Sequence, residues 1–359
     1  MAILGIPPQY RILILGVLLM IQLSCKTGNN STSTVAPKID SILTNIKAND
    51  LFNSETISKG IHFIGLDNDS TYLVLVDSFN ITVMEISDSN NKIVIRNDKF
   101  IEQVVCKDSS VILFNFEDKV INKLTFLEGS IHKHRITKID IPSIFNDSIF
   151  CYSIFSAPLC AIDTNSFLIP YRAFNETPNM VDDYSTLYVS QSSKIFTIKK
   201  ILPFASYIRK SYDYYKSILL SFDSKSNTIF YTFQKCSYLY SFSISTNKID
   251  SVKIENFKSV EYDSTKVKDH TYLRKYMAET DLNTNISIDE SSRIYVVTKN
   301  SQDEVMNSEI NIYNNKLEKL LNYETKQELY GTFAFTRKES FYILDTSNKY
   351  LKYTFFKQL

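Results

Sequence analysis

Six short apolar runs recur along the chain, roughly 40 to 65 residues apart: Tyr72–Val76, Val111–Phe114, Phe167–Ile169, Ile229–Phe233, Ile294–Val297 and Phe341–Leu344. β-Branched and aromatic residues dominate them, as they do in strands. Each run follows a polar turn: Asp67–Ser70, Lys107–Ser110, Asp163–Asn165, Asp223–Asn227, Asp289–Ser292 and Arg337–Ser340. Further strands come after most of them. Leu239–Phe242 leads through Ser245–Lys248 to Ile249 and Val252, Ile310–Tyr313 leads through Asn314–Lys316 to Leu317 and Leu320, and Leu351–Phe355 comes last. The rhythm predicts one four-stranded sheet per repeat. One such sheet cannot bury both faces alone, whereas radial stacking buries them and leaves only short edges. The expected fold is therefore all-β, a six-bladed β-propeller over residues 53–359. A pair of β-sandwiches is the alternative, since it shows the same alternation and turns.

Two stretches break the period of two. Residues 38–52 place Ile39, Ile42, Leu43 and Ile46 at helical spacing, which predicts a short N-terminal helix. Phe204–Leu219, with Tyr207, Tyr212, Tyr214, Tyr215 and Ile218, allows a helical interruption.

Composition narrows the classes. The hydrophobic share is 44% and the aromatic share 13%, enough for a large core in 359 residues. Forty basic residues balance 39 acidic ones, so no net charge argues for nucleic acid. Only seven glycines are present, and Asn, Asp and Ser are expected to fill the tight turns.

The N-terminus reads as an address. Arg11 precedes the uncharged apolar run Ile12–Ile21, too short to cross a bilayer core of roughly 30 Å. Gln22-Leu23-Ser24-Cys25 then resembles a bacterial lipobox, in which the cysteine becomes the lipidated first residue. Residues 1–24 are thus expected to be a lipoprotein signal peptide, Cys25 the lipidation site and residues 25–37 a polar, flexible tether. Firm attachment needs more than one acyl chain, such as palmitate. The Gln22 position resembles lipoproteins of the Bacteroidetes. Lys26, with no acid before Asp40, implies by that resemblance an outer-membrane lipoprotein facing the periplasm, with surface exposure as the alternative.

The phrases Asn227–Phe233 followed by Tyr238–Ile244, and Ile286–Val297 followed by Ile310–Tyr313, resemble the blade phrases of TolB-like six-bladed propeller lipoproteins of Bacteroidetes. The resemblance is strongest to their domain of unknown function DUF4221, over about residues 60–359. It implies a propeller but no reaction, and no site residue carries over.

The search for chemistry yields no catalytic set. His132 and His134 share one face of a strand, but Lys133 and Arg135 flank them, so a solvated basic strand is expected rather than a metal site. Cys151 and Cys160 can pair across the Ser156–Pro158 bend, the alternative being buried free thiols. Asp182 and Asp183 lie in a long insertion, Phe174–Tyr184. With Tyr207, Tyr212 and Tyr215 they are the candidate ligand-binding residues, although a core-flanking or rim role is the stronger reading of the tyrosines. Glu255–Asp281 is a second candidate binding loop. No cofactor and no metal is expected. The reading that follows is a membrane-anchored, non-catalytic binding or scaffold module for a glycan, a peptide or an envelope protein. The alternative is a propeller-based hydrolase or lyase with acids at the channel mouth.

Overall fold

The computed structural model describes residues 38–43, 61–66, 71–115, 120–140, 149–150, 160–203, 218–301, 307–325, 329–345 and 349–356, apart from 78, 89, 102, 108, 164, 171, 174–183, 193, 194, 262, 267 and 268. Six four-stranded sheets make up the unit spanning Ile39–Leu359. Blade 1 holds β2 (Ile61–Gly65), β3 (Thr71–Val76), β4 (Asn80–Glu85) and β5 (Lys92–Arg96). Blade 2 holds β6 (Gln103–Lys107), β7 (Ser110–Asn115), β8 (Val120–Leu127) and β9 (Ser130–Asp140). Blade 3 holds β11 (Cys160–Ala161), β12 (Ser166–Pro170), β14 (Tyr184–Ser192) and β15 (Ile195–Pro203). It carries a ribbon of β10 (Ile149–Phe150) paired with β13 (Arg172–Ala173). Blade 4 holds β16 (Ile218–Asp223), β17 (Thr228–Phe233), β18 (Tyr238–Ser243) and β19 (Ile249–Lys253). Blade 5 holds β20 (Leu282–Ile288), β21 (Ile294–Lys299), β22 (Ser308–Tyr313) and β23 (Lys319–Thr325). Blade 6 runs β24 (Leu329–Arg337), β25 (Ser340–Asp345) and β26 (Lys349–Thr354), and β1 (Lys38–Leu43) completes it beside β26.

First strands of successive blades lie against one another around a closed ring: β2, β6, β11, β16, β20, β24 and back to β2. That closure identifies a six-bladed propeller and sets aside the sandwich alternative. The predicted helix over residues 38–52 is a correction. Lys38–Leu43 is strand β1, and 44–52 lies outside the described residues. The local pattern of Ile39, Ile42 and Leu43 suits a helix, but the free edge of β26 offers a whole ladder of backbone partners, and tertiary pairing overrides a short local preference. The α-helix among the described residues is instead His270–Glu279.

The six apolar runs are the second strands of the six blades, β3, β7, β12, β17, β21 and β25. Their continuous apolarity has a geometric cause: both faces of each are buried between neighbouring blades. Val111 and Leu113 of β7 join a cluster with blade 1, while Ile112 and Phe114 join one with blade 3. In the same way Ile294 and Val296 face blade 4, and Tyr295 and Val297 face blade 6. The polar turns ahead of these runs are the hairpins between first and second strands. Left-handed backbone falls at Asn227, Asn247, Asn256 and Ser292, as the glycine shortage leads one to expect, but also at Glu128, Leu202, Leu317 and Lys338.

Because the strands within a sheet are antiparallel, turns between first and second or third and fourth strands emerge at one end of the propeller. We term this end the hairpin face. Links between second and third strands, and from one blade to the next, emerge at the opposite end, the connection face. On the hairpin face adjacent blades are locked together: the Lys225 ammonium donates to the Glu290 carbonyl, Ser291 Oγ donates to Glu339 Oε1 at 2.7 Å, and the Arg337 guanidinium donates to Thr71 Oγ1. The long connections, including 174–183, 204–217 and 254–281, all leave from strand ends on the connection face.

Candidate functional site

The strand ends that bracket every candidate loop share the connection face. Asp182 and Asp183 fall in the link to β14, and Tyr207, Tyr212 and Tyr215 in the link from blade 3 to blade 4. All five side chains lie outside the described residues, as do Cys25 and Cys151. Ile218 and Leu219, assigned above to a helical interruption, open strand β16.

Cys160 stands on β11, and Cys151, its expected partner, lies outside the described residues. The Cys160 side chain packs, partly buried, against the cluster between blades 3 and 4, and burial pushes its thiol up to about 12, with Lys107 opposing. His132 and His134 stand exposed on β9, with His134 edge-on to Phe126 at 6.3 Å, in keeping with a solvated strand. Among the described residues no three His, Cys, Asp or Glu side chains come together as metal ligands would.

The Glu255–Asp281 connection is described almost throughout. Ile254 and Phe257 insert between blades 4 and 5. The chain then forms a 3-10 turn at Ser264–Lys266 and the helix His270–Glu279. Asp269 caps that helix, accepting from the backbone N–H of Thr271 at 2.9 Å and of Tyr272 at 3.1 Å. Its far end is held from the propeller. Lys235, in the β17–β18 turn, donates to the carbonyls of Met277, at 3.2 Å, and Thr280. A cation at a helix C-terminus complements the dipole. Burial pushes Lys235 down to about 8, and the charge of Asp281 opposes that drop.

Asp281 is itself sealed in, at 1% exposure. Its carboxylate accepts from the Lys258 N–H at 2.7 Å, the Ser301 N–H at 2.9 Å and Ser301 Oγ at 3.0 Å. Two residues on, the fully buried Asn283 donates to the carbonyls of Phe233 at 3.0 Å and Cys236 at 2.7 Å, and accepts from Thr298 Oγ1 at 2.9 Å. Lys235, Asp281 and Asn283 thus form a buried polar latch that fixes the helical connection on blades 4 and 5. Every group in it bonds to a structural partner, so its chemistry is positioning rather than turnover.

The exposed aromatic side chains are more informative. Among the described residues, those that stand out to solvent are Phe79, Phe100, Tyr184 and Tyr238. Phe79 lies in the β3–β4 link, Phe100 in the link from blade 1 to blade 2, Tyr184 at the start of β14 and Tyr238 at the start of β18. All four sit on the connection face, around blades 1 to 4. The hairpin face exposes aliphatic Leu127 and Ile249 instead.

Phe79 and Phe100 touch each other edge to face, with ring centroids 5.8 Å apart and planes at 76°. Their backbones are pinned from below. The Asn97 N–H donates to the Phe79 carbonyl at 2.7 Å, and Asn115 Nδ2 donates to the Phe100 carbonyl at 2.7 Å. Asn97 Nδ2 donates to the Lys99 carbonyl at 2.6 Å, and its Oδ1 accepts from Asn122 at 3.0 Å. Asp77 closes the other side, accepting from the N–H groups of Phe79 and Asn80. Burial pushes its pKa up, but the Asn80 side chain and the two N–H groups outweigh that and hold the carboxyl below its ordinary range. Sequence reasoning passed over both phenylalanines because they interrupt polar turns, Asp77-Ser78-Phe79-Asn80 and Asp98-Lys99-Phe100. An aromatic residue inside a turn between two apolar runs was the available signal.

No protein-family model matches the chain, and no curated protein matches it. Solved structures do. A member of the DUF4221 family from Bacteroides vulgatus superposes with a TM-score of 0.59 at 12% identity, over 89% of this chain and 96% of that one. A Bacteroides fragilis protein described as exported superposes with a TM-score of 0.50 at 12% identity, over 91% of this chain and 96% of that one. At such identity the likeness is one of fold: this chain is a six-bladed β-propeller similar in structure to a DUF4221 protein, as its blade phrases suggested.

Proposed function

We propose that this chain is a lipid-anchored protein on the periplasmic side of the outer membrane, and that its propeller is a non-catalytic binding or scaffold module working through the connection face. The observation that carries the binding reading is the gathering of Phe79, Phe100, Tyr184 and Tyr238 on that one face. Exposed aromatics of this kind mark recognition surfaces, because they bury much area at little entropic cost. Beneath Phe79 and Phe100, the buried polar groups Asn97 and Asn115 are engaged in holding the links that carry them. The anchor reading rests on the Ser24-Cys25 step after the apolar run, and the exported Bacteroides fragilis relative in fold is compatible with it.

Two measurements test the proposal. Cys25→Ser should move the protein from the membrane fraction to the soluble fraction, and equal sedimentation of both forms overturns the anchor. The mature propeller, applied to glycan and peptide arrays alongside hydrolysis assays, should bind without turnover. Turnover lost on Asp182→Asn and Asp183→Asn replaces the binding module with an enzyme.

A further inference from the structure

We infer that the Phe79–Phe100 corner is a carbohydrate-stacking site that seats the C–H face of a pyranose ring; the inference rests on the binding-module reading and names its ligand class. Both rings remain open to water, Phe79 at 46% and Phe100 at 39% exposure, yet the backbone carbonyl of each accepts a hydrogen bond from an asparagine below. Two buried asparagines, Asn97 and Asn115, donate to the backbone that carries Phe100, and a third, Asn122, orients Asn97 through its side-chain oxygen. Ile101, fully buried beside Phe100, anchors the same link in the core between blades 1 and 2. A turn needs no phenylalanine at either position, since a polar residue would satisfy the same backbone bonds and be better hydrated. Rigid, exposed aromatic faces lower the ordering cost of binding, because the site exists before the ligand arrives.

The surroundings choose between ligands. An apolar side chain of a partner protein binds best in an enclosed, fully desolvated socket. Here the perpendicular rings form an open corner, and the exposed Asp98 and Lys99 directly precede Phe100. A ligand seated on the rings therefore needs one apolar face and a polar edge that stays hydrated. A pyranose has that form: axial C–H groups on one face stack on an aromatic ring, and equatorial hydroxyls meet charged side chains and water. Aromatic stacking of this type contributes a moderate energy per ring, so a single corner gives weak binding that an oligosaccharide strengthens by presenting several rings to it.

The chain contains no tryptophan, so Phe100→Trp places a lone indole at the site and its emission reports on that place alone. The mature Phe100→Trp protein is titrated with maltohexaose, cellohexaose, xylohexaose and chitohexaose, and the unsubstituted protein is followed with the same sugars by calorimetry. At least one sugar should shift the emission saturably. Phe79→Ala should weaken that sugar about tenfold or more while the protein keeps a cooperative thermal unfolding transition, because nearly half of the lost side chain faces solvent. Absence of any sugar response overturns the carbohydrate assignment. So does a peptide-array signal that Phe79→Ala abolishes where no sugar binds. Sugar binding that survives both Phe79→Ala and Phe100→Ala overturns the corner but leaves the binding module standing, whereas sugar hydrolysis would sink the module itself.

Discussion

Replacing Asp281 with alanine removes an acceptor that no neighbouring group can replace. The carboxylate is 1% exposed and takes three hydrogen bonds, from the N–H groups of Lys258 and Ser301 and from Ser301 Oγ, all between 2.7 and 3.0 Å. Each buried donor left without a partner costs about 1–3 kcal/mol. Ser301 Oγ can rotate to another acceptor, so two backbone donors set the minimum. Asp281 also supplies the negative charge that favours the protonated, buried Lys235, and an ammonium stripped of its compensating charge adds to the penalty. The sum is about 3–5 kcal/mol, a loss large enough to be diagnostic. It should appear as a lower urea midpoint and, locally, as faster amide exchange across residues 255–281 than across blades 1 and 2. Asp281→Asn should retain part of the stability, because its carbonyl oxygen keeps one backbone bond while its amide meets the other donors head-on. A loss under about 1 kcal/mol for Asp281→Ala, with unchanged exchange over the helical connection, would refute the latch.

Three further outcomes follow from the same geometry. Lys235 titrates near 8 in the folded chain against its ordinary 10.5, so only the unfolded chain holds the proton between those values and stability rises with pH across that window, by about 1–3 kcal/mol; urea midpoints from pH 7 to 10.5 should climb more steeply for the parent than for Lys235→Met. Tyr295→Phe removes the 2.9 Å bond from the buried hydroxyl to Asp289 Oδ2 but keeps the ring stacked on Phe341, and should lower stability by about 1 kcal/mol in the same denaturation assay. Asn122→Ala withdraws the 3.0 Å bond that orients Asn97, and should cost about 1 kcal/mol while broadening the NMR resonances of residues 97–100; unaltered resonances there would show that the aromatic corner does not depend on the asparagine network.

The fold was legible because its strongest physical demand falls on a few contiguous residues. A second strand buried on both faces must be apolar at every position, and the hairpin before it must be polar and tightly turned. Val111–Phe114 and Ile294–Val297 therefore announced their blades without any help from the rest of the chain. Outer strands make no such demand. β9 exposes His132 to Lys138 and β19 is largely exposed, so neither carried a signal of comparable strength. Lys38–Leu43 failed for a related reason: six residues with three apolar positions fit either period, and the partner that decides between them, β26, is more than three hundred positions away in sequence. No local pattern encodes a closure of that span.

The site was harder to read because its residues break the rule that reveals the fold. Apolar runs mark what is buried, so a sequence reading ranks a lone phenylalanine inside a polar turn below a cluster such as Tyr212, Tyr214 and Tyr215. What makes Phe79 and Phe100 matter is not their own type but the three asparagines beneath them, and those belong to links and strands of two different blades. The latch has the same character. Lys235 follows a strongly apolar strand, Asp281 precedes the mixed strand β20, and each alone reads as an ordinary turn residue. Only the packing of blade 5 on blade 4 brings the β17–β18 turn under the end of the helix, and only then does a buried ammonium find the Met277 and Thr280 carbonyls. In a propeller, each blade can be read on its own, but the contacts on the connection face are assembled from links between blades, and they become visible only once neighbouring blades are packed together.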